Sequence, residues 1–146
     1  MHIRIMTMHD YDTVYALWMS CTGMGLNTMD DSKEGITKFL TRNPETCFVA
    51  ESEEKIAGVI LAGNDGRRGY IYHTAVRPEY RKQGIGAQLV SSVLKALRKI
   101  GIHKVALVVF SKNKNGNEFW DKMGFISRGD LVYRNKALTD IRRIDT

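Results

Sequence analysis

Two glycines and two cations stand together in the middle of the chain and could bind an anion. Gly84 and Gly86 follow Arg81 and Lys82, and because glycine has no Cβ, a ligand can lie directly on the main chain there. The amphipathic segment 87–100 comes next and predicts a long helix that begins at the glycines. The free N–H groups and the positive dipole of its first turn favour phosphate or pyrophosphate. A tight turn with no ligand is the structural alternative.

Three other nucleotide-binding motifs use glycines in a similar place, and the sequence lacks each of them. A P-loop requires Gly-x-x-x-x-Gly-Lys-Ser/Thr, which is absent. A dinucleotide fingerprint needs a small residue where Leu89 stands and an acid about 20 residues further on, where residues 102–107 read IHKVAL. A kinase glycine loop needs a far longer chain around it. The predicted anion site therefore belongs to another class.

Two segments resemble motifs of one known family. Residues 76–86 (Val-x-Pro-x-x-Arg-x-x-Gly-x-Gly) are similar to motif A of the GCN5-related N-acetyltransferases (GNAT), which bind acetyl-coenzyme A (acetyl-CoA) by its pyrophosphate. Residues 113–125 (Asn-x-x-Gly-x-x-Phe-Trp-x-x-Met-Gly-Phe) resemble the family's Asn-x-x-Ala-x-x-Phe-Tyr-x-x-x-Gly-Phe segment. The resemblance implies an acetyl-CoA-dependent N-acetyltransferase with the acyl-CoA N-acyltransferase fold.

The resemblance also implies where the co-substrate lies. In the family, the pantetheine arm fits between two splayed strands, so the backbone of Thr74 and Val76 is expected to pair with it, as in strand addition. Arg81 is expected to face the pyrophosphate. Asn113 is implied on the pantetheine side, and a helix cap is its structural alternative. The implied set is Thr74, Ala75, Val76, Arg81, Lys82, Gln83, Gly84, Ile85, Gly86, Ala87, Asn113 and Trp120.

The chemistry implied by the resemblance is direct transfer. A neutral amine attacks the thioester, a base takes its proton and an acid protonates the thiolate. The family's usual acid is a tyrosine where this chain has Trp120, and an indole N–H cannot give up a proton at neutral pH. Some members carry a glutamate where this chain has Val108. Trp120 is therefore interpreted as a packing residue or a weak hydrogen-bond donor.

Other side chains must then supply the acid and the base. The candidates are His73, Tyr70, Tyr72, Glu51 and Tyr133. Histidine is the residue type whose chemistry best suits a base at neutral pH, which favours His73. Strand alternation predicts that its ring faces away from Tyr72 and Thr74, and a core or edge histidine is the structural alternative.

Acceptor specificity is expected in the two loops 21–31 and 64–69, because loops carry specificity on rigid scaffolds. Arg67 and Arg68 could hold an acidic group of a substrate. A cationic group could instead meet a carboxylate, and the candidates are Asp30, Asp31 and Asp65. Solvated surface charge is the alternative for each. The acceptor implied is a small amine, an amino acid or a peptide N-terminus.

The formal charge of +6 and the pI near 9.4 suit an anionic partner. Coenzyme A is such a partner, and nucleic acid is another, but the basic residues are scattered and no aromatic-interleaved RNA motif is present. A basic nucleic-acid-associated protein is therefore the weaker alternative. A non-catalytic acyl-CoA-binding sensor or regulatory module is a second one, supported by Trp120 and Val108.

Hydrophobic periodicity predicts the elements that must position these residues. Strands are predicted at 2–6, 46–51, 55–63, 69–76, 104–110 and 130–135, and helices at 11–20, 33–41, 87–100 and 113–122. Short turns join the strands between 46 and 76 into an antiparallel meander, and the run 104–110 should neighbour the strand that ends at Val76. The fold class is α+β, with a mixed, mostly antiparallel sheet of six to seven strands and helices on both faces.

A chain of 146 residues, 43% hydrophobic, has the size of one domain. We expect a single N-acetyltransferase domain over 1–146 with a frayed charged tail at 136–146. No apolar run approaches the roughly 20 residues of a membrane span, so a soluble, cytoplasmic protein is expected. Because members of the resembling family often dimerise, the resemblance implies a possible homodimer. Cys21 and Cys47 stand outside any Cys/His cluster, which predicts buried thiols and no metal.

Overall fold

Five strands form one mixed sheet in chain order in the computed structural model, which describes residues 1–144. The strands are β1 (His2–Ile5), β2 (Phe48–Ser52), β3 (Lys55–Asn64), β4 (Gly69–Val76) and β5 (Val105–Ala106). The pairs from β1 to β4 are antiparallel, and β5 runs parallel to β4. The helices are α1 (Tyr11–Met19), α2 (Lys33–Arg42), α3 (Ile85–Lys99) and α4 (Lys114–Lys122). The predicted class, a mixed sheet with helices on both faces, is confirmed.

Helices α1 and α2 cover one face of the sheet. Their apolar stripes place Leu17, Trp18 and Ile36 in a buried cluster. The sheet contributes alternate residues to this cluster, among them Val59 and Ala75. Because every second strand residue points to the same face, β3 serves two cores at once, and its buried residues run without interruption from Ile56 to Gly63.

Helices α3 and α4 cover the opposite face. The stripe of α3 buries Leu89, Val93 and Leu97 against sheet residues such as Ile60 and Ile71. The α4 side adds partly buried aromatic residues, which are Phe119, Trp120 and Phe125. Helix α3 therefore begins at the glycine turn and is fixed along its length by packing on the sheet. Within residues 1–144, none of the helices is long and apolar enough to cross a membrane.

Two of the predicted strands differ from the observed structure. The run 104–110 pairs with β4 only at Val105 and Ala106, because the chain beyond Ala106 diverges from β4. Residues 130–135 form no strand in the described chain, since no neighbouring segment pairs with them and Val132 is 75% exposed. The sheet of residues 1–144 therefore has five strands instead of the predicted six to seven.

The C-terminal segment is tied back to the domain near its end. The backbone N–H of Thr28 donates to Arg142 O at 2.8 Å, and Ile144 N donates to Leu26 O at 2.9 Å. Ile144 also packs against the α1 and α2 core. Residues 145–146 of the predicted tail lie outside the described residues.

A buried carboxylate joins the N-terminal strand to the start of α1. Arg4 donates to both carboxylate oxygens of Asp10, at 2.8 and 2.9 Å, and to Glu51 at 2.8 Å. Desolvation alone would raise the pKa of Asp10, but the hydrogen bonds from Arg4 and from the N–H of Thr7 outweigh it and lower that pKa. A lowered pKa in the folded state means that this carboxylate stabilises the fold above its unfolded pKa of about 4.

We expect Asp10→Asn to lower the free energy of unfolding at pH 7 by about 2 kcal/mol, because Arg4 loses its buried partner but keeps Glu51. The loss should shrink as the pH falls through the folded pKa of Asp10, where the wild-type carboxylate is itself protonated. Urea unfolding at pH 7 and at about pH 3 measures both values. Asp12→Asn is the control, since the Asp12 side chain is 87% exposed. A loss of equal size at both pH values would show that the ionised carboxylate of Asp10 is not the source of this stabilisation.

Candidate active site

Strands β4 and β5 separate to leave a gap in the sheet. They pair at Gly69 with Val105 and at Tyr70 with Ala106, and no further pair follows. The other edge of β4 stays paired to β3 up to Val76. The half of β4 that holds residues 74–76 therefore has a free edge on its β5 side within the described chain. An extended amide chain can pair with such an edge.

The gap leads to the amino end of α3. The turn before the helix contains two residues with left-handed backbone, Lys82 at φ 61° and Gly84 at φ 80°, and Gly84 is the N-cap of α3. No side chain caps this helix and no acid stands in its first turn. A 15-residue helix thus presents its positive end and its free N–H groups beside the gap.

Gly86 lies where a neighbouring helix approaches the turn closely. A Cβ built at Gly86 would lie 3.0 Å from a ring carbon of Phe119, on α4. The glycine therefore lets α4 approach the first turn of α3. The close approach of Phe119 agrees with the predicted structural role of this glycine, and its role in the anion site stays a prediction.

The side chain of Arg81 holds the turn in place. Its Nε donates to Val76 O at 3.1 Å, and its Nη2 lies 3.8 Å from Cys21 Sγ. The guanidinium thereby ties the turn to the end of β4 and to the loop after α1. Its predicted contact with the pyrophosphate stays a prediction.

Asn113 caps α4 in this structure. Its Oδ1 accepts a hydrogen bond from Gly116 N at 2.9 Å, which is the usual N-cap geometry. A Cβ at Gly116 would come within 2.5 Å of the Asn113 amide. The glycine that replaces the family's alanine therefore gives Asn113 room to fold over its own helix. The predicted pantetheine contact stays a prediction.

Trp120 makes aromatic contacts on the α3 side of the sheet. Its ring meets those of Phe119 and Phe125 edge to face, with centroids 4.9 and 5.0 Å apart. This agrees with the interpretation of Trp120 as a packing residue. Val108, the other departure from the family pattern, is 57% exposed.

His73 forms the only contact between a histidine and a carboxylate within 4 Å in the described chain. Its Nε2 lies 2.6 Å from Oδ1 of Asp31, whose side chain is 5% exposed. The other oxygen of Asp31 accepts the N–H of Asn27, and the His73 ring stands edge-on to Trp18 at 5.0 Å. Asp31 thus fixes the ring and the nitrogen that faces it.

The prediction that His73 and Tyr72 point to opposite faces of the sheet is wrong. A bulge shifts the register of β4 on β3, so that Ile60 faces Thr74 while Ala62 faces Ile71. Because a bulge adds one residue, alternation breaks between Tyr72 and His73. Both side chains now lie on the α1 and α2 face, where Tyr72 meets Phe39 at 5.5 Å.

Tyr70 and Tyr72 form an aromatic surface on the same face. Their ring centroids are 4.6 Å apart, and both line a cleft of about 370 Å³ together with Phe39, Asn43, Asn64, Asp65 and Arg68. Burial raises the pKa of both phenols, and the nearby phenol of Tyr133 raises both further. The two phenols therefore stay protonated at neutral pH and can donate hydrogen bonds.

The last candidate, Glu51, lies elsewhere. It is on β2, two strands from β4, and its carboxylate is bound to Arg4. It borders a separate cleft of about 540 Å³ that also contains Arg77 and Tyr80. Glu51 therefore does not stand in the gap between β4 and β5.

Comparison with known sequences finds matches to acetyltransferases. The sequence profile of the acetyltransferase (GNAT) family matches residues 11–125. An acetyltransferase of Photorhabdus laumondii is 35% identical over 142 residues, which cover 96% of this chain and 98% of that protein. An acetyltransferase of Sodalis glossinidius is 30% identical over 140 residues, which cover 96% and 97%.

Solved structures show the same fold. Ard1 from Thermoplasma volcanium superposes with a TM-score of 0.77 at 22% identity, and the match covers 86% of this chain and 82% of Ard1. The aminoglycoside N-acetyltransferase AAC(6')-Iy in complex with CoA gives a TM-score of 0.73 at 16% identity, with 93% and 99% covered. These identities bear on the fold alone.

Proposed function

Because this chain belongs to the GNAT family of acetyltransferases, we propose that it moves an acetyl group from acetyl-CoA to a primary amine by direct attack in a ternary complex. The observation that carries the proposal is the gap between β4 and β5, which leads to the uncapped amino end of α3. A free strand edge suits the amides of pantetheine, and a free helix end suits a pyrophosphate.

The residues of the gap fit this co-substrate. The free edge at 74–76 takes the pantetheine arm, and the main-chain N–H groups of 83–87 take the pyrophosphate. Lys82 adds positive charge, while Arg81 positions the turn through Val76 O. When bound, the thioester supplies an electrophilic carbonyl. The side chains of the protein then bind the amine and move its proton.

His73 is the proposed general base. Asp31 accepts Nε2–H of the neutral ring, which leaves a lone pair on Nδ1 to take the proton of the attacking amine. The new C–N bond displaces the thiolate of coenzyme A, whose pKa near that of cysteine, about 8.5, makes it a good leaving group. A proton from the phenol of either Tyr70 or Tyr72 is proposed to neutralise it, which compensates for Trp120 at the usual acid position.

The cleft beside Tyr70 and Tyr72 is the proposed acceptor site. It lies next to the residue pair where β4 and β5 part, and its wall combines aromatic rings with the carboxylate of Asp65. This suits a small amine or the N-terminus of an amino acid or peptide. AAC(6')-Iy, a structural neighbour, has been solved with the bisubstrate analogue CoA-S-monomethyl-acetylneamine, and this supports the proposed choice of acceptor.

The proposed activity is tested by release of free thiol from acetyl-CoA across a panel of amines. We expect release that depends on one class of amine. Binding of acetyl-CoA without release of free thiol for any amine would instead support a non-catalytic acyl-CoA-binding sensor. Trp120 and Val108 are the residues that favour this alternative. A protein that shows neither binding nor release would contradict the proposal.

A single charge at the amino end of α3 should separate anion binding from folding. Gly84→Asp and Gly84→Asn place side chains of the same size in a position with no atom within 4 Å of the new Cβ, and both residue types tolerate left-handed backbone. We expect the Asp variant to bind acetyl-CoA about 10- to 100-fold more weakly than the Asn variant, because its carboxylate repels the pyrophosphate. Isothermal titration measures the ratio. Equal affinities would place the pyrophosphate elsewhere.

A further inference from the structure

An aromatic ring stands at the mouth of the gap, on the chain that continues β5. This residue, Phe110, turns towards the loop after α1. Cβ atoms built at Gly23 and Gly25 would lie 3.8 and 3.7 Å from its ring. The next residue of that loop, Leu26, is buried in the α1 and α2 core, which is the face on which His73 lies. Phe110 therefore borders the gap on the side of the proposed base.

The end of the described chain is fixed beside the same loop. Backbone hydrogen bonds on both sides of Arg143 tie this segment to the loop, at 2.8 Å through Arg142 O and at 2.9 Å through Ile144 N. Arg143 itself lies opposite Asn27 in an antiparallel bridge. Main-chain contacts therefore set the position from which the side chain of Arg143 starts.

The side chain of Arg143 holds its charge over the ring of Phe110. Its Cζ lies 5.5 Å from the ring centroid, an arrangement in which the face of the ring attracts the cation. The guanidinium makes no ion pair with a carboxylate of residues 1–144. Stacking occupies the flat face of a guanidinium and leaves the N–H groups at its rim able to bind both oxygens of a carboxylate.

The same loop connects this cation to the proposed base. Asn27, which faces Arg143, donates its N–H to Asp31 Oδ2 at 2.8 Å. The other oxygen of that carboxylate lies 2.6 Å from His73 Nε2. The side chain of Asn27 donates to Asp30 Oδ2 at 3.0 Å, so both aspartates of the loop already have hydrogen-bond partners. The loop therefore holds a base and an unpaired cation beside one gap.

We propose that Arg143 binds a carboxylate of the acceptor, so that the protein selects amines that also carry a carboxylate, as free amino acids do. The proposal rests on the proposed acetyl transfer, in which the amine meets His73. Binding at two points orients the amine towards the thioester. The acceptor class thus narrows from any small amine to an amino acid, and amines without a carboxylate become poor acceptors.

The proposed acceptor cleft is compatible with this arrangement. Tyr70 and Tyr72 line the cleft where the gap opens, beside Ala106. Phe110 follows further along the chain, in the direction in which β4 continues to His73. The acceptor therefore extends from the cleft, past His73, towards the cation above Phe110.

Matched pairs of acceptors test the carboxylate. Thiol release from acetyl-CoA is measured with α-amino acids and with ω-amino acids of increasing length, and then with the corresponding amides, in which a neutral group replaces the carboxylate. We expect the best amino acid to have a KM roughly 10- to 100-fold below that of its amide, which is the usual effect of hydrogen bonds to a charged group.

Arg143→Gln should remove this difference by raising the KM of the amino acid alone, because the amide does not use the charge. The affinity for acetyl-CoA, measured by titration, should stay unchanged. Arg142→Gln is the matched control, since it removes the same charge from the neighbouring residue. The side chain of Arg142 is 77% exposed and pairs with Asp140 at 3.4 Å, so this variant should keep the preference for the amino acid.

Two kinetic results would overturn the proposal. One is an equal KM for each amino acid and its amide in the wild type, which needs no variant. The other is a preference for amino acids that survives Arg143→Gln in full, since the carboxylate would then bind elsewhere.

Failure of acetyl transfer is a separate outcome, in which no amine releases thiol. The same pairs of compounds are then titrated calorimetrically into the protein in the presence of coenzyme A. Tighter binding of the amino acid than of its amide, lost in Arg143→Gln and kept in Arg142→Gln, would support the carboxylate site without the activity. Equal binding of both compounds, or binding of neither, would overturn the site as well.

Discussion

Replacing His73 with glutamine is expected to lower kcat by about 10²- to 10⁴-fold, the usual contribution of a general base. Glutamine keeps a polar side chain beside Asp31 but cannot take a proton from the amine. The affinity for acetyl-CoA should stay unchanged, because residues 83–87 and the free edge of β4 are untouched. Steady-state kinetics with a reactive amine, together with titration of acetyl-CoA, measures both.

Asp31→Asn separates catalysis from simple packing at the same place. Oδ2 of Asp31 accepts the N–H of Asn27, so the asparagine carbonyl must take that position and its NH₂ must face His73. An NH₂ donor forces the proton of the neutral ring onto Nδ1 and removes the lone pair that takes the amine proton. We expect kcat to fall by at least about 10²-fold.

His9→Gln, at an exposed histidine, is the control and should leave the kinetics unchanged. If His73→Gln keeps full activity with an unaltered pH profile, His73 is a core histidine. The proton would then have to be moved by another group, and Tyr70 and Tyr72 would be the first to examine.

Local patterns in the sequence were sufficient for most of the framework. Apolar periodicity predicted α3 and the meander from β2 to β4, because both depend on side chains that are near each other in the chain. The parallel placement of β5 beside β4 followed from the strand–helix–strand order of this part of the chain. These features need no knowledge of distant contacts.

The site depends on contacts that periodicity does not encode. The bulge in β4 moves His73 to the face of Tyr72, and no residue type marks the extra residue. The partner of His73 is Asp31, 42 residues away, which the sequence offered only as one of several loop carboxylates. An aspartate directly before the predicted helix N-cap was the one signal available, and it has many structural explanations.

The predicted sixth strand shows a different limit of prediction from sequence. Residues 130–135 have the composition of a strand, but composition cannot specify the strand's neighbour. Among residues 1–144, no segment pairs with them as a strand.

Gly35→Ala is expected to lower the free energy of unfolding by about 3 kcal/mol, although the same change usually stabilises a helix. Propensity alone favours alanine by about 1 kcal/mol. A Cβ at Gly35 would, however, lie 2.3 Å from the carbonyl oxygen of Met29 and 2.4 Å from that of Asp30. Those atoms are backbone and cannot rotate away, so the strain of overpacking outweighs the propensity. Urea unfolding measures the change.

The loop that Gly35 touches ends at Asp31, and this connects the stability of α2 to the proposed chemistry. If the loop shifts to admit the new Cβ, Asp31 moves relative to His73, so kcat should fall together with stability. Thr37→Ala is the matched control: it raises helix propensity in the same helix at an exposed position whose hydroxyl bonds only to Lys33 O. It should stabilise the protein slightly and leave kcat unchanged. If Gly35→Ala, like this control, leaves both stability and kcat undiminished, the loop moves without cost to admit the new Cβ. The contact between the loop and α2 would then not determine the position of Asp31.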